Sequence, residues 1–296
     1  MIGVISSMVR ITLTFVLALM LSATAWAGNW NKGSNSPKSN IELSFTVNRQ
    51  DTPLNAYVIR NTLHLPKSND ETYGVVVLLH SCGGISPKNQ NDLVRWGKLL
   101  LDNGYAVLFI DHLGPRGVKK NCGRSRPLNS TILTKDVYAA TNFLNTQPKI
   151  DKTRIFTLGF SLGAMTGGAL ATQENHARLG KDAPRPRAVA GLYGGCYGGE
   201  KWLQSSADIP VLWLVGSNDN ESPPNSCSGA VNALQKKGLI TFHQYPNATH
   251  CWDCADLDGF SKTAGNGNRV TYKFDSETTK DSERRVIEFF NSFKNE

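Results

Sequence analysis

Short apolar runs alternate with amphipathic segments along most of this 296-residue chain. The run YGVVVLLH, Tyr73–His80, is apolar almost throughout, as in a strand buried on both faces of a sheet. The segment Gln90–Gly104 follows with apolar residues at helical spacing and an Asn-Gly stop, and Tyr105–Asp111 is the next apolar run. Strands that alternate with helices are joined by right-handed crossovers. The pattern therefore predicts an α/β fold, with a mostly parallel sheet and helices on both faces.

The same alternation continues towards the C-terminus. Further predicted helices are Asn129–Gln147, Ser161–Thr172, a segment around Cys227–Lys236, and Ser282–Phe293; further predicted strands are Arg154–Phe160, Ala188–Gly195, Pro210–Gly216 and Ile240–Pro246. An antiparallel pair, Ile41–Val47 and Leu54–Arg60, is predicted at the start because the polar turn NRQDTP separates the two segments. No repeat or linker interrupts residues 41–296, which are predicted to form one domain. The short connection between Gly195 and Pro210 predicts no lid domain and an open site.

The N-terminal residues are typical of an export signal. Arg10 precedes the apolar run Ile11–Ala23, and the small residues of AWA, Ala25–Ala27, follow where a signal peptidase would cut. The apolar run is shorter than the roughly 20 residues of a membrane-spanning helix, so residues 1–27 are interpreted as a signal peptide and not as a stable anchor. Residues 28–40 have few apolar side chains and are predicted to be a flexible leader. We therefore expect a periplasmic or secreted protein.

The basic residues do not indicate a nucleic-acid-binding protein. The formal net charge is +8, but lysine and arginine are scattered, with only short pairs such as Lys119-Lys120. Attraction to an anionic surface or substrate remains open.

The six cysteines of an exported chain are expected to form disulfides. The alternative is a zinc site, because Cys251 and Cys254 have CxxC spacing. No second CxxC or HxxxH accompanies them, so neither a metal nor a cofactor is predicted.

The stretch GFSLG, Gly159–Gly163, marks a candidate nucleophile, Ser161. It lies where a predicted buried strand meets a predicted helix, which is the place of a sharp turn that lifts a side chain above the sheet edge. Glycines two residues before and two residues after Ser161 remove the Cβ atoms that would clash in such a turn. The hydroxyl is then expected near the positive end of the following helix.

A serine hydroxyl needs a base to take its proton, and the base needs an acid to hold its tautomer. Asp219 follows the strand that ends at Gly216, and His250 follows the strand that ends at Pro246. The order Ser, Asp, His is that of α/β-hydrolases, so Asp219 and His250 are the predicted partners of Ser161. The alternative acids are Glu221 and Asp253, and the less favoured histidines are His64, His80, His176 and His243.

Two further features are placed near the same sheet edge. The glycine-rich stretch HSCGG, His80–Gly84, follows a strand and predicts an oxyanion hole made by the backbone N–H groups of Cys82 and Leu162. Arg116, in DHLGPRG, is a candidate for binding a substrate carboxylate. The alternative for Arg116 is a structural role, tied to Asp111 or to a backbone carbonyl.

Together these motifs resemble the α/β-hydrolase superfamily, and within it the dienelactone hydrolase-like branch. The similarity runs from VVVLLHSCGG through GFSLGA, GSNDNESP and YPNATHCWD to the C-terminal SETTKDSERRVIEFF. It implies cofactor-free hydrolysis of an ester or lactone through Ser161, Asp219 and His250. The namesake enzymes carry a cysteine nucleophile and a glutamate in the oxyanion loop, whereas this chain has Ser161 and Ser81. That difference favours a serine esterase acting through an acyl-enzyme on small-molecule or polymer-borne esters.

Two alternative functions remain open at this stage: a serine peptidase on the same fold, and a binding protein without activity. The resemblance also places the cysteines at neighbouring strand ends and so implies three pairs, Cys82 with Cys122, Cys196 with Cys227, and Cys251 with Cys254. The alternative joins Cys82 to a cysteine beside His250. The sequence leaves the oligomeric state open.

Overall fold

Eight strands form one sheet in the computed structural model of this chain, which describes residues 41–47, 57–86, 90–123, 126–196 and 202–294. The predicted signal peptide, residues 1–27, and the leader, residues 28–40, lie outside the described residues. The strands of the sheet are β1 (Ile41–Val47), β2 (Tyr57–His64), β3 (Tyr73–Leu79), β4 (Ala106–Ile110), β5 (Ile150–Phe160), β6 (Ala188–Leu192), β7 (Val211–Gly216) and β8 (Ile240–Tyr245). The described helices are α1 (Gln90–Asp102), α2 (Ser130–Leu144), α3 (Leu162–Leu170), α4 (Gln173–Leu179), α5 (Ser228–Lys236) and α6 (Ser276–Asn291).

The sheet has the strand order β1-β2-β4-β3-β5-β6-β7-β8. Strands β3 to β8 are mutually parallel, whereas β2 runs antiparallel to β4 and β1 runs antiparallel to β2. The predicted mostly parallel sheet is therefore confirmed. The second strand lies closer to the C-terminus than the predicted Leu54–Arg60, because its last four residues, Asn61–His64, pair with β4.

Helices cover both faces of the sheet, as the alternation predicts. Side chains of β3 point alternately to the two sides. Val76 and Leu78 pack in one core with Trp96 of α1 and Phe290 of α6. The intervening residues Val75, Val77 and Leu79 pack in a second core with side chains of α2. A strand buried on both faces thus explains the near-continuous apolar run at Tyr73–Leu79.

Three local features differ from the sequence prediction. Helix α6 begins at Ser276, before the predicted Ser282, because the Asp275 side chain accepts hydrogen bonds from the backbone N–H groups of Glu277 and Thr278 and caps the helix. The short helix α4 was not predicted. Neither was the hairpin of β9 (Ser261–Thr263) and β10 (Arg269–Thr271), which lies between His250 and α6.

The three predicted disulfides are present. They join Cys82 to Cys122, Cys196 to Cys227 and Cys251 to Cys254, with Cα–Cα distances of 5.0, 4.9 and 5.3 Å. The alternative pairing of Cys82 with a cysteine beside His250 is therefore wrong, and the CxxC thiols are used in a bridge. Among the described residues, no helix has the length and apolarity needed to cross a membrane.

Candidate active site

Ser161 lies on a sharp turn between β5 and α3. Its backbone has φ 53° and ψ −111°, a conformation that non-glycine residues rarely adopt. A Cβ atom at Gly159 would lie 2.2 Å from backbone atoms of Gly163, and one at Gly163 would lie 2.0 Å from the carbonyl oxygen of Leu79. Neither position has room for a side chain. The two glycines of GFSLG are thus required by close packing around the turn that presents the Ser161 hydroxyl.

His250 and Asp219 continue from Ser161 in a chain of hydrogen bonds. The Nε2 atom of His250 lies 3.0 Å from Ser161 Oγ, and Nδ1 lies 2.7 Å from Asp219 Oδ2. The other carboxylate oxygen of Asp219 accepts hydrogen bonds from the backbone N–H groups of Glu221 and Ser222. With Nδ1–H donating to Asp219, Nε2 is the acceptor that faces the serine hydroxyl. The structure therefore brings together the three residues that the sequence predicts to act together.

Glu221 lies on the other side of the imidazole from Asp219. Its Oε2 atom is 3.9 Å from His250 Nε2, and its carboxylate accepts hydrogen bonds from Lys262 Nζ and Tyr272 OH. Burial by itself would lower the pKa of His250, but the negative charges of Asp219 and Glu221 outweigh it and raise that pKa above its usual value. Glu221 thus influences His250 without occupying the Nδ1 position, so the geometry does not support it as the acid partner.

Asp253, the other alternative acid, has a structural set of partners. Its carboxylate accepts hydrogen bonds from Trp96 Nε1 at 2.7 Å, Tyr193 OH at 2.9 Å and Arg95 Nη2 at 3.1 Å. These donors tie the segment after His250 to helix α1 and to the end of β6. Asp253 is therefore not the partner of His250 in this geometry.

The Ser161 hydroxyl and the His250 ring line a cavity of about 600 Å³. One wall is formed by Leu257, Phe260 and the β9–β10 hairpin. The absence of a lid after β6 stays a prediction, since residues 197–201 of that connection lie outside the described residues. The chain after His250 encloses one side of the cavity, which is therefore less open than the sequence suggests. The sequence feature that could have indicated this wall is GNGN, residues 265–268, because glycine and asparagine favour the tight turn of a hairpin.

The predicted oxyanion loop is held by its own hydrogen bonds. The carbonyl oxygen of Ser81 accepts from His80 Nδ1–H at 2.7 Å and from the Gly84 N–H at 3.0 Å, and the carbonyl oxygen of Cys82 accepts from the Asn121 N–H at 2.7 Å. Burial, the largest cause, lowers the pKa of His80 from 6.5 to about 4, which keeps its ring neutral. These bonds and the Cys82–Cys122 bridge fix the peptide whose N–H belongs to Cys82.

The two N–H groups assigned to the oxyanion hole are not used elsewhere in the part of the chain that the structure describes. Neither the Cys82 N–H nor the Leu162 N–H donates a hydrogen bond to a protein acceptor there. Cys82 lines the cavity, and Leu162 is the first residue of α3, directly after Ser161. Both groups are thus available to a ligand atom near the serine.

Arg116 does not lie in the cavity wall, so the prediction that it binds substrate requires correction. Its guanidinium donates to Asp136 at 2.7 and 2.6 Å and to the carbonyl oxygen of His112 at 2.7 Å, and its side chain is only 1% exposed. Asp136 also contacts His112 Nδ1 at 2.9 Å. The structural alternative for Arg116 is therefore correct, with Asp136 of α2 as its acid instead of Asp111.

The parallel sheet, the strained turn at Ser161 and the position of the site at the carboxyl ends of the strands define an α/β hydrolase. More narrowly, the chain belongs to the dienelactone hydrolase family, whose family model matches residues 59–294.

Individual proteins are more distant. The uncharacterized protein YcjY of Escherichia coli (strain K12) is 29% identical over 144 residues, which cover 47% of this chain and 43% of YcjY. The chain thus aligns with less than half the length of that relative.

Solved structures share the fold at low identity. A dienelactone hydrolase-like protein from Klebsiella pneumoniae subsp. pneumoniae is 16% identical, with a TM-score of 0.60 and coverage of 86% of this chain and 99% of that one. The dienelactone hydrolase-like promiscuous phosphotriesterase P91, from metagenomic libraries, is 17% identical, with a TM-score of 0.58 and coverage of 85% and 98%. The carboxylesterase Cest-2923 of Lactobacillus plantarum WCFS1 is 14% identical, with a TM-score of 0.54 and coverage of 72% and 86%. At these identities the likeness shows the fold alone.

Proposed function

We propose that this protein is a serine esterase that cleaves carboxylic ester or lactone bonds through Ser161, His250 and Asp219. The observation that carries the proposal is the continuous contact from Ser161 Oγ to His250 Nε2 at 3.0 Å and from His250 Nδ1 to Asp219 Oδ2 at 2.7 Å. A buried serine held against an imidazole nitrogen, with a carboxylate fixing the tautomer of the ring, is an activated nucleophile.

The chemistry follows from the position of each group. His250 Nε2 accepts the Ser161 proton as Oγ bonds to the ester carbonyl carbon, and the carbonyl oxygen becomes an oxyanion that accepts hydrogen bonds from the N–H groups of Cys82 and Leu162. The imidazolium then gives its proton to the departing alcohol, which leaves an ester between Ser161 and the acyl group. Water, deprotonated by His250, attacks that ester and releases the acid and the free serine.

We further propose that the protein is exported and acts in the periplasm or outside the cell. Residues 1–27 have the composition of a secretory signal, and three disulfides suit an oxidising compartment. On this proposal the mature chain begins at Gly28 with a leader to Asn40, and residues 41–296 form the hydrolase domain.

Ser161 and Ser81 also bear on the substrate, because the resemblance implies that they take the places of the cysteine and the glutamate of the namesake enzymes. A general ester, small or attached to a polymer, is therefore favoured over a dienelactone. A binding protein has no chemical need of the Ser161–His250–Asp219 contacts.

A screen of the mature protein against p-nitrophenyl esters of increasing acyl length tests the proposal. Ser161→Ala is expected to abolish hydrolysis while the circular dichroism spectrum stays unchanged, because the hydroxyl is lost and the fold is kept. Ser206→Ala, at an exposed serine, is the matched control and is expected to retain full activity. Equal activity in the two variants would remove Ser161 from the mechanism.

A further inference from the structure

A second carboxylate, besides that of Asp219, lies near the ring nitrogen of His250 that is proposed to protonate the departing alcohol. Glu221 Oε2 is 3.9 Å from His250 Nε2, the nitrogen that contacts Ser161 Oγ at 3.0 Å. Asp219 contacts the opposite nitrogen, so Glu221 is not needed to hold the tautomer. The position of Glu221 therefore indicates a role other than holding the tautomer of His250.

The proposed chemistry fixes where the departing oxygen must be. To receive a proton from His250 Nε2, that oxygen has to lie within a hydrogen bond of it, about 2.6–3.2 Å. In a vicinal diol ester, the free hydroxyl is on the carbon adjacent to the one that bears the ester oxygen, and the two oxygens lie about one hydrogen-bond distance apart. From there the hydroxyl reaches Glu221 Oε2, which is 3.9 Å from the same nitrogen, so the four atoms close into one ring of contacts.

The surroundings keep this carboxylate charged and in place. Lys262 Nζ donates to Oε1 at 2.8 Å and Tyr272 OH donates to Oε2 at 2.7 Å. Burial would raise the pKa of Glu221, but the charges of His250 and Lys262 outweigh it and lower that pKa. An ionised carboxylate forms strong hydrogen bonds with hydroxyl donors, so a substrate hydroxyl is a suitable donor to Glu221.

The cavity around this carboxylate also suits a polyhydroxy alcohol. Lys262 lines it beside Glu221 and sets an ammonium donor next to a carboxylate acceptor, a combination that suits neighbouring hydroxyls. The ring of Phe260, 38% exposed, also lines the cavity and offers an apolar face to the carbon side of such an alcohol.

We propose that Glu221 selects esters whose alcohol carries a hydroxyl on the carbon adjacent to the one that bears the ester oxygen, that is, esters of vicinal diols such as glycerol and sugars. The inference rests on the proposed esterase function and names its substrate class. The hydroxyl donates a charge-assisted hydrogen bond to Glu221 while His250 protonates the departing oxygen.

Three esters with one acyl group provide the test: the 2-hydroxyethyl ester, the propyl ester, in which a methyl replaces the hydroxyl, and the 2-methoxyethyl ester, which keeps the electronegative oxygen but cannot donate. The acyl group is the one that the p-nitrophenyl screen shows to be best. All three esters form the same acyl-enzyme, so the ratio of their kcat/KM values reports only binding and acylation. Each ratio is taken within one enzyme, so general damage to a variant cancels.

The wild-type protein is expected to prefer the 2-hydroxyethyl ester over both others by about tenfold or more, the discrimination of a hydrogen bond to a charged group. Glu221→Gln is expected to reduce that ratio by about tenfold. Glu221→Asp keeps the charge, but its shorter side chain moves the carboxylate away from the substrate hydroxyl, so this variant is expected to reduce the ratio as well. Asp92→Asn, at another carboxyl that lines the cavity, is the matched control and should keep the wild-type ratio.

The outcomes separate this inference from the function on which it rests. Similar kcat/KM values for the three esters in the wild-type protein would overturn the inference and leave the esterase function standing. An undiminished preference in both Glu221 variants would overturn it as well. Failure to hydrolyse any of the three esters, together with inactivity on p-nitrophenyl esters, would overturn both.

Discussion

Replacing Asp219 by asparagine isolates the part that the carboxylate plays in the proposed mechanism. The backbone N–H groups of Glu221 and Ser222 bond to Oδ1, and an amide oxygen can accept the same two bonds, so the loop is expected to keep its shape. The position 2.7 Å from His250 Nδ1 would then hold an NH2 group. An NH2 donor there makes Nδ1 the acceptor and moves the ring proton to Nε2, which can no longer accept the proton of Ser161.

The variant also loses the charge that stabilises the imidazolium. A wrong tautomer in an otherwise intact serine triad lowers kcat by about 10,000-fold, which corresponds to about 5.5 kcal/mol of transition-state stabilisation. Stopped-flow and steady-state hydrolysis of the best p-nitrophenyl ester measure the loss, and urea unfolding of the same preparation checks that the fold persists. A folded Asp219→Asn protein that retains more than about a tenth of wild-type kcat would refute the tautomer argument.

Three other predictions follow from contacts described above. Because Asp219 and Glu221 raise the pKa of His250, the acidic limb of the kcat/KM profile should lie above pH 6.5, and Glu221→Gln should move it to lower pH; a limb that does not move would contradict this electrostatic account. Arg116→Ala should lower the free energy of unfolding by about 3–5 kcal/mol, because it leaves the fully buried Asp136 without its guanidinium, whereas Arg284→Ala, at an exposed ion pair, should change it little. Peptide mapping of unreduced, alkylated protein should recover two linked peptide pairs, Cys82 with Cys122 and Cys196 with Cys227, and one peptide closed internally by Cys251 and Cys254, and alkylated cysteines would contradict the bridges.

The parts of the site that follow from local sequence could be predicted. The turn at Ser161 is set by glycines two residues away on each side, and the buried strand before it is visible as an apolar run. Asp219 and His250 each follow a recognisable strand, and parallel strands bring their carboxyl ends to one edge. Chain order and periodicity are therefore enough to place these three side chains near each other.

Contacts between residues far apart in the chain could not be predicted. Arg116 pairs with Asp136, which lies on the next helix and carries no local signal that it faces the arginine. Glu221 lies on the Nε2 side of His250, where Lys262 of the hairpin, 41 residues further along the chain, bonds to its carboxylate. Three-residue strands such as β9 and β10 are also too short for a periodic pattern to identify.

Covalent labelling of Ser161 tests the central claim most directly. An alkyl fluorophosphonate places its phosphorus on the activated oxygen and releases fluoride, so the mature protein should gain the mass of one phosphonyl group and lose esterase activity in parallel. Peptide mass spectrometry should locate that group on the peptide that contains Ser161, and Ser161→Ala should stay unlabelled. A wild-type protein that hydrolyses esters without being labelled, or that carries the label on another residue, would contradict the account.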